Sequence, residues 1–549
     1  MARRLHRQGE ALIIGDYLRR RSGESISALS LADELLESLP VLGTTTLDQY
    51  LGPFCGVLQR DSPGRASSLY VFRDRFGTVP IQYLRLERGW AISTSPEAIL
   101  TLLSQKDLLQ VHRPRLESFL FGSDDQGSED FFRDLYRLRP GEVLYLEGNS
   151  IKERCYFWNP EANKPADSET HLRKWFARRS QDFSLRPHLL ALSSGMDSGA
   201  LAAYLTSRHG GSEAITLYDS KGVDERGVAQ EIATHLGIRW RCVDIADHWP
   251  RASGPPPLRA SPLAWGPESH PDMAWKDALH RSLRKVPYSL PIVYGNGADE
   301  ALWISTADWL QSRWRAADYS ALYEANRHLP AGRVLRALLG GLSLPDFLSR
   351  LRSRDDDPWS TPQNWVHRFS STDGPLDWEP CERAKGRDRF LQLRSWRWER
   401  VMRSLARESR CTFRPILTPY LDAEFWELCF SLRPDERVVR GRQKAVLRSA
   451  CADLLPSSVL SQPKKGGFDP LVERGLAMHE RPAIEEMMSQ PLLSTHLSFS
   501  SPCFLSAYRA YCDASRERIR GSWPIWRTLS SEVWSRQLAA TARFSGGNS

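Results

Sequence analysis

The sequence predicts an α/β protein of two domains, the first an α+β unit of short, mostly antiparallel strands and the second a Rossmann-like parallel sheet with extra helices. Length is the first reason, because 549 residues exceed what one ordinary core serves. The second is the run of β-rich pieces between turn residues over 46–103, the pattern of antiparallel strands. The third is the alternation of apolar runs with helical segments after residue 184, which predicts βαβ units and a ligand at the carboxyl ends of parallel strands. The boundaries that follow are 1–158, a linker with a leading helix over 159–183, and 184–549.

Composition excludes several classes. Hydrophobic residues at 41% and charged residues at 26% are ordinary for a soluble globular chain. The net charge of +8 comes from arginines dispersed among acids, a solvated surface rather than a nucleic-acid groove. No run has the apolar length of a membrane span, and near the start only Ala11-Leu12-Ile13-Ile14 is apolar. That argues against secretion and for the cytoplasm. Nine cysteines, odd in number and without Cys-x-x-Cys spacing, point to reduced thiols rather than disulfides or structural zinc.

In the first domain the expected strands are 54–58, 68–72, 81–86 and 90–93, punctuated by Ser62-Pro63-Gly64 and Phe76-Gly77-Thr78. Cys55 falls inside a strand and is expected to be a packed core thiol. Residues 159–168, with Pro160 and Pro165, form the linker, and an amphipathic helix over 171–183 follows.

The second domain opens with Leu189-Leu190-Ala191-Leu192, breaks into Ser193-Ser194-Gly195, and resumes as Met196-Asp197-Ser198 ahead of an apolar helix. Small side chains let a ligand approach the backbone, and the first N–H groups of the helix point at it, so the geometry suits phosphate. Asp197 would repel phosphate unless a cation lay between them, which implies magnesium. A strand over 214–218, a helix over 225–236 opened by Asp224-Glu225, and a strand over 239–244 continue the alternation. The acids Asp224 and Glu225 are read as first-turn residues complementing the helix dipole.

A second strand-to-turn stretch is Leu290-Pro291-Ile292-Val293-Tyr294-Gly295-Asn296-Gly297-Ala298-Asp299-Glu300. If its strand neighbours the first, Asp197 and Asp299 meet across the phosphates and hold the metal with phosphate oxygens and waters. Residues 305–410 read as helices rich in Trp, Arg and Leu, with Arg354-Asp355-Asp356-Asp357-Pro358 as an exposed loop. Lys444, in Gly441-Arg442-Gln443-Lys444-Ala445-Val446-Leu447-Arg448, falls on a predicted helix, where a solvated side chain is the serious alternative to a functional one. Beyond it lies the lysine-bearing loop Gln462-Pro463-Lys464-Lys465-Gly466-Gly467-Phe468.

These motifs, in this order, resemble the asparagine synthetase family over about 46–470. The first domain adds Arg73-Asp74-Arg75-Phe76-Gly77, Pro80-Ile81-Gln82-Tyr83 and Leu138-Arg139-Pro140-Gly141. Two departures are visible: Ser194 stands where the family's loop has glycine, and the last loop has Gln462 for arginine and one extra glycine. The resemblance implies an N-terminal glutaminase-type, Ntn-hydrolase-like domain without its nucleophile, since Ala2 occupies the position of the catalytic cysteine. It implies a PP-loop ATP-pyrophosphatase domain that uses ATP and Mg2+. Ala191, Leu192, Ser193, Ser194, Gly195, Asp197, Ser198, Leu217, Tyr294 and Gly295 would contact nucleotide, and Asp197 and Asp299 the metal. Lys464 or Lys465 would stabilise the adenylate and the developing oxyanion.

Three branches of that family supply different amines. Asparagine synthetase uses ammonia, whose glutamine-derived supply Ala2 removes. The β-lactam-forming branch uses as base a tyrosine between the two glycines of the second loop; Asn296 stands there, and so joins the candidate catalytic set. Lasso peptide cyclases also lack the N-terminal cysteine and join a peptide's α-amine to an Asp or Glu side chain. An α-amine has a pKa near ~8 and is partly neutral at cytosolic pH, which favours this third branch. Its implied partners are a precursor peptide, a leader peptidase and a leader-recognition protein. A sulfur-inserting tRNA enzyme would normally carry a catalytic cysteine pair or an RNA-binding module, and neither is present in the sequence. A non-catalytic nucleotide-binding scaffold remains open.

Overall fold

The computed structural model describes residues 2–6, 9–15, 17–60, 67–105, 109–122, 127–158, 167–184, 187–206, 213–250, 262–268, 270–303, 393–439, 442–462, 467–513 and 522–545. Buried apolar residues build the first sheet: Ala11 and Ile13 on one strand, Phe54 and Leu58 on the next and Phe72 on a third share one core, while Val71 faces a second core on the other side of the sheet. It is antiparallel and six-stranded, in the order Ala2–His6, Gly9–Gly15, Phe54–Arg60, Ser68–Arg73, Glu142–Glu147, Ser150–Tyr156. Gly56 lets two neighbours close on the strand, because a Cβ there would meet Phe72 at 2.7 Å and Ile13 at 2.6 Å. Cys55 is 1% exposed, and burial pushes its thiol well above the ordinary range, the behaviour of a packed hydrophobe. A three-stranded sheet, Trp90–Ser93, Gln82–Arg85 and Leu135–Arg137, completes the unit.

The second sheet is parallel and five-stranded, in the order Arg239–Asp244, Glu213–Tyr218, Leu189–Ala191, Ile292–Val293, Ile416–Leu417. The chain starts in the middle, grows to one edge, then returns to the centre and grows to the other. The order therefore reverses between Leu189–Ala191 and Ile292–Val293, which pair Leu189 with Ile292 and Leu190 with Val293. Open α/β sheets bind ligands in the crevice beyond such a reversal.

Some expectations shift. The leading helix runs Ser168–Ser184 and so begins inside the expected linker, because the Asp167 carboxylate accepts the N–H groups of Glu169 and Thr170 and caps it early. The linker residues 159–166, the part of the helical expectation over 305–410 that falls on 305–392, and the triplet Asp355-Asp356-Asp357 lie outside the described residues. The helix Trp396–Thr412 is described and begins from Ser395, which caps the N–H of Trp398.

That helix also locks the two parts together. Glu399, fully buried, lies 2.8 Å from Arg73 and 3.3 Å from Arg137, both of the first domain, and 3.1 Å from Arg403 of its own helix. Trp398 donates its indole N–H to the Phe76 carbonyl at 2.7 Å. A second joint has Arg19 on Asp422 at 2.8 Å and the Trp158 indole on Glu427 at 3.0 Å. Burial alone would raise the Glu399 pKa; Arg73, Arg403 and Arg137 override it and hold the group down at about 2.

Glu399→Gln leaves buried guanidiniums without their counter-charge and should cost about 3–5 kcal/mol in urea unfolding monitored by tryptophan fluorescence. Because the folded pKa lies below the ordinary 4.5, this stabilisation is present above about pH 4.5 and is lost as pH falls toward 2. The variant should therefore be flatter than the parent across that window; parallel pH profiles would contradict the assignment.

Candidate functional site at the strand ends

The first loop is built by serine hydroxyls. Ser193 and Ser198 hydroxyls lie 2.9 Å apart, the Ser193 N–H donates to Ser198 Oγ at 3.1 Å, and the Gly195 N–H donates to Ser193 Oγ at 3.2 Å. The helix Met196–Thr206 starts directly after it, so its N-terminal dipole end faces the turn. The Ser194 N–H donates to the Glu225 carboxylate at 3.2 Å. Every one of these N–H groups meets oxygen, the acceptor type that a phosphate supplies.

The second loop leaves Ile292–Val293 one strand away. Gly295 makes the close approach possible: a Cβ there would sit 3.3 Å from the Asp197 Cβ and 3.4 Å from the Ser198 nitrogen. Gly297 has φ +100°, and a Cβ would press on Leu421 at 2.6 Å, so both backbone and space require glycine. The acid pair then divides. Glu300 is pulled back to accept the Gly297 N–H at 3.1 Å, while Asp299 projects outward with its side chain 67% exposed.

Asp197 and Asp299 converge on one cation. The Lys444 Nζ lies 2.5 Å from Asp197 Oδ2 and 2.5 Å from Asp299 Oδ1. Lys444 does not sit on a helix surface. It precedes Ala445–Ala450 with left-handed backbone, φ 62° and ψ 41°, and is buried. Burial works against its charge, yet Asp197 and Asp299 raise its pKa above the ordinary value. A non-glycine residue in this conformation costs roughly 1–2 kcal/mol, so the two carboxylates are what keep it there. From below, the buried Tyr420 hydroxyl donates to the Asp197 carbonyl at 2.9 Å.

Behind the turn lies a charged cluster. Tyr294 donates its hydroxyl to Glu408 Oε1 at 2.7 Å; the same carboxylate meets His280 Nε2 at 2.8 Å and Lys276 Nζ at 3.0 Å. Burial opposes ionisation of Glu408, but Lys276 and His280 hold its pKa down at about 2. Tyr294 is shifted well up by burial and by Glu408, and so stays a neutral donor.

The remaining expected residues fall as follows. Ala191 ends the strand Leu189–Ala191, Gly195 and Asn296 are half-buried at the loops, and Leu217 lies in the neighbouring strand Glu213–Tyr218. Leu192 points into the core at 2% exposure, and its N–H is spent on the Ile215 carbonyl at 2.9 Å, so only its carbonyl is left for a nucleotide. Lys464 and Lys465 lie outside the described residues. The near end of their loop is tied down where Arg448, one turn beyond Lys444, donates to the carbonyls of Leu460 at 2.7 Å and Gln462 at 3.0 Å.

Two residues escaped the sequence reading. On sequence Lys444 stays open between a solvated and a functional side chain, because nothing local announces its left-handed backbone. Glu225 was read as a first-turn acid, yet it is buried and lies at the helix cap against the phosphate-type loop. No group of three or more His, Cys, Asp or Glu side chains among the described residues is arranged to hold a metal. Two hard carboxylate oxygens directed at one point fit Mg2+ all the same, because that ion is usually held by one or two carboxylates with phosphates and waters completing its shell.

The asparagine synthase family model matches residues 172–536, a span that holds both loops, Lys444 and the helix Trp396–Thr412. No curated protein matches the chain.

Two cations cannot share the same two carboxylate oxygens, so Lys444 would compete with any metal placed there. Lys444→Met should raise the Mn2+ affinity of the nucleotide-free protein by about tenfold, as expected when a like charge is removed from contact distance, read by the free-ion electron paramagnetic resonance signal. Equal affinities in variant and parent would contradict that competition.

Proposed function

This chain belongs to the asparagine synthase family, whose members are ATP-dependent, AMP-forming amide ligases, and we propose that its own reaction is macrolactam formation of the lasso peptide cyclase type. An Asp or Glu side-chain carboxylate of a leader-free peptide attacks the α-phosphorus of ATP, and pyrophosphate leaves. The peptide's α-amine then attacks the acyl carbon, loses its proton, and AMP departs as the isopeptide bond forms. The first loop's N–H groups and the hydroxyls of Ser193 and Ser198 would receive pyrophosphate. Asp197 and Asp299 would hold Mg2+, which supplies Lewis-acid charge neutralisation on the phosphates. Lys464 or Lys465 would meet the adenylate and the oxyanion.

The observation that carries the ligase part is the meeting of Asp197 and Asp299 at one cation position beyond the sheet's order reversal. The choice of amine rests on Ala2, which begins an outer strand opposite Ile13: a methyl group there supplies no thiol to release ammonia from glutamine. An asparagine-synthetase-like or β-lactam-synthetase-like ligase of small molecules is the alternative within the family. We further propose a precursor peptide, a leader peptidase and a leader-recognition protein as partners, and a cytoplasmic setting. No helix among the described residues is long and apolar enough to cross a membrane.

Incubation with a linear peptide carrying a free α-amine and an internal Asp or Glu, plus ATP and Mg2+, should yield AMP, pyrophosphate and a product one water lighter by mass spectrometry. Asp197→Asn should lower that rate by on the order of a hundredfold, comparable to deleting one group that stabilises transition-state charge. AMP formation with free amino acids and ammonia but with no peptide would overturn the peptide reading and keep the ligase.

A further inference from the structure

A cavity of about 40 Å³ lies between the two domains, walled by Phe131 of the first and by Trp265, Glu268, Trp396, Ser404 and Arg407 of the second. That volume holds a few waters or one small polar group. Gly266 shapes the wall: its φ is +80°, and a Cβ there would collide with the Phe131 ring at 2.2 Å.

The lining has more donors than acceptors. Arg407 is 5% exposed, yet its Nε and Nη2 have no hydrogen-bond partner among the described residues. These two nitrogens form the side-on edge that takes a carboxylate in bidentate fashion. The Trp396 indole N–H likewise has no acceptor. Arg403 is already spent on Asp130 and Glu399, and the guanidiniums of Arg115, Arg137 and Arg403 crowd the Trp396 ring at 4.6, 4.7 and 4.9 Å. Glu268, the carboxylate among the described lining residues, lies 3.6 Å from Arg407 Nη1, too far for a hydrogen bond. Burial pushes the Glu268 carboxyl up to about 7, against the pull of Arg407, so it opposes a neighbouring anion less than an ordinary carboxylate would. Proteins seldom leave buried donors unmet.

The cavity is also wired to the strand-end site. Ser404 Oγ donates to Asp272 at 3.4 Å, Asp272 holds Lys276 at 2.7 Å, Lys276 holds Glu408 at 3.0 Å, and Glu408 receives the Tyr294 hydroxyl at 2.7 Å beside Gly295. We infer that this cavity is a receptor for a carboxylate, with Arg407 Nε and Nη2 as its fork and the Trp396 N–H as a third donor. On the ligase reading above, the group it takes is a second, non-reacting carboxylate of the acid substrate, which anchors the molecule while another carboxylate reacts.

The test needs no ATP, so it is independent of whether the protein forms AMP. Acetate is titrated against the full-length protein by ligand-observed NMR, with acetamide as the uncharged isostere. Acetate should bind, acetamide should not, and Arg407→Met should weaken acetate binding about tenfold or more, as expected for loss of a charge-assisted pair. Trp396→Phe, which removes one donor and keeps the ring, should weaken it a few-fold, and thermal unfolding checks that both variants fold. The inference is overturned if acetamide binds as well as acetate, if Arg407→Met binds acetate like the parent, or if neither probe binds and the cavity holds water only.

Discussion

Two carboxylates placed within contact distance of one point repel each other, and the strand-end architecture depends on how that repulsion is offset. Asp197 and Asp299 are carried there by adjacent parallel strands, and Asp197 is held in place because Gly295 packs against it and Tyr420 anchors its backbone. Positive charge has to come to them. Lys444 brings it at the cost of an unfavourable backbone conformation, and a metal on a triphosphate would bring it more completely.

The helix Trp396–Thr412 transmits order from the first domain to this region. Its start is pinned by Arg73 and Arg137 through Glu399, and its last turns carry Glu408, which gathers Tyr294, His280 and Lys276. Ion pairs at one end and a buried, ion-paired carboxylate at the other leave the helix little freedom to slide. The antiparallel sheet region therefore has physical work in this chain: Arg73 and Arg137 fix the register of the helix behind the second loop.

Sequence made some of this legible. Apolar runs that break into small residues marked both strand ends, and the β-rich pieces marked four of the antiparallel strands with boundaries close to those observed. Asp197 and Asp299 were readable because a strand-to-turn transition fixes where a side chain emerges. Lys444 and Glu225 were not, since their roles come from tertiary contacts: Glu225 reaches Ser194 from 31 residues away, and Lys444 reaches Asp197 from 247 residues away. The joint between Arg73 and Glu399 spans 326 residues, and the cavity draws its walls from three distant segments, which no local pattern encodes.

If Asp197 and Asp299 grip the same ion, their contributions to metal-dependent ATP binding cannot be independent. A double-mutant cycle with Asp197→Asn, Asp299→Asn and both together, measured as the ratio of ATP affinities with and without Mg2+, tests this most directly. The shared ion predicts that the second substitution costs much less than it does alone, a coupling of about 1 kcal/mol or more. Strictly additive losses would mean that the two acids act on separate partners.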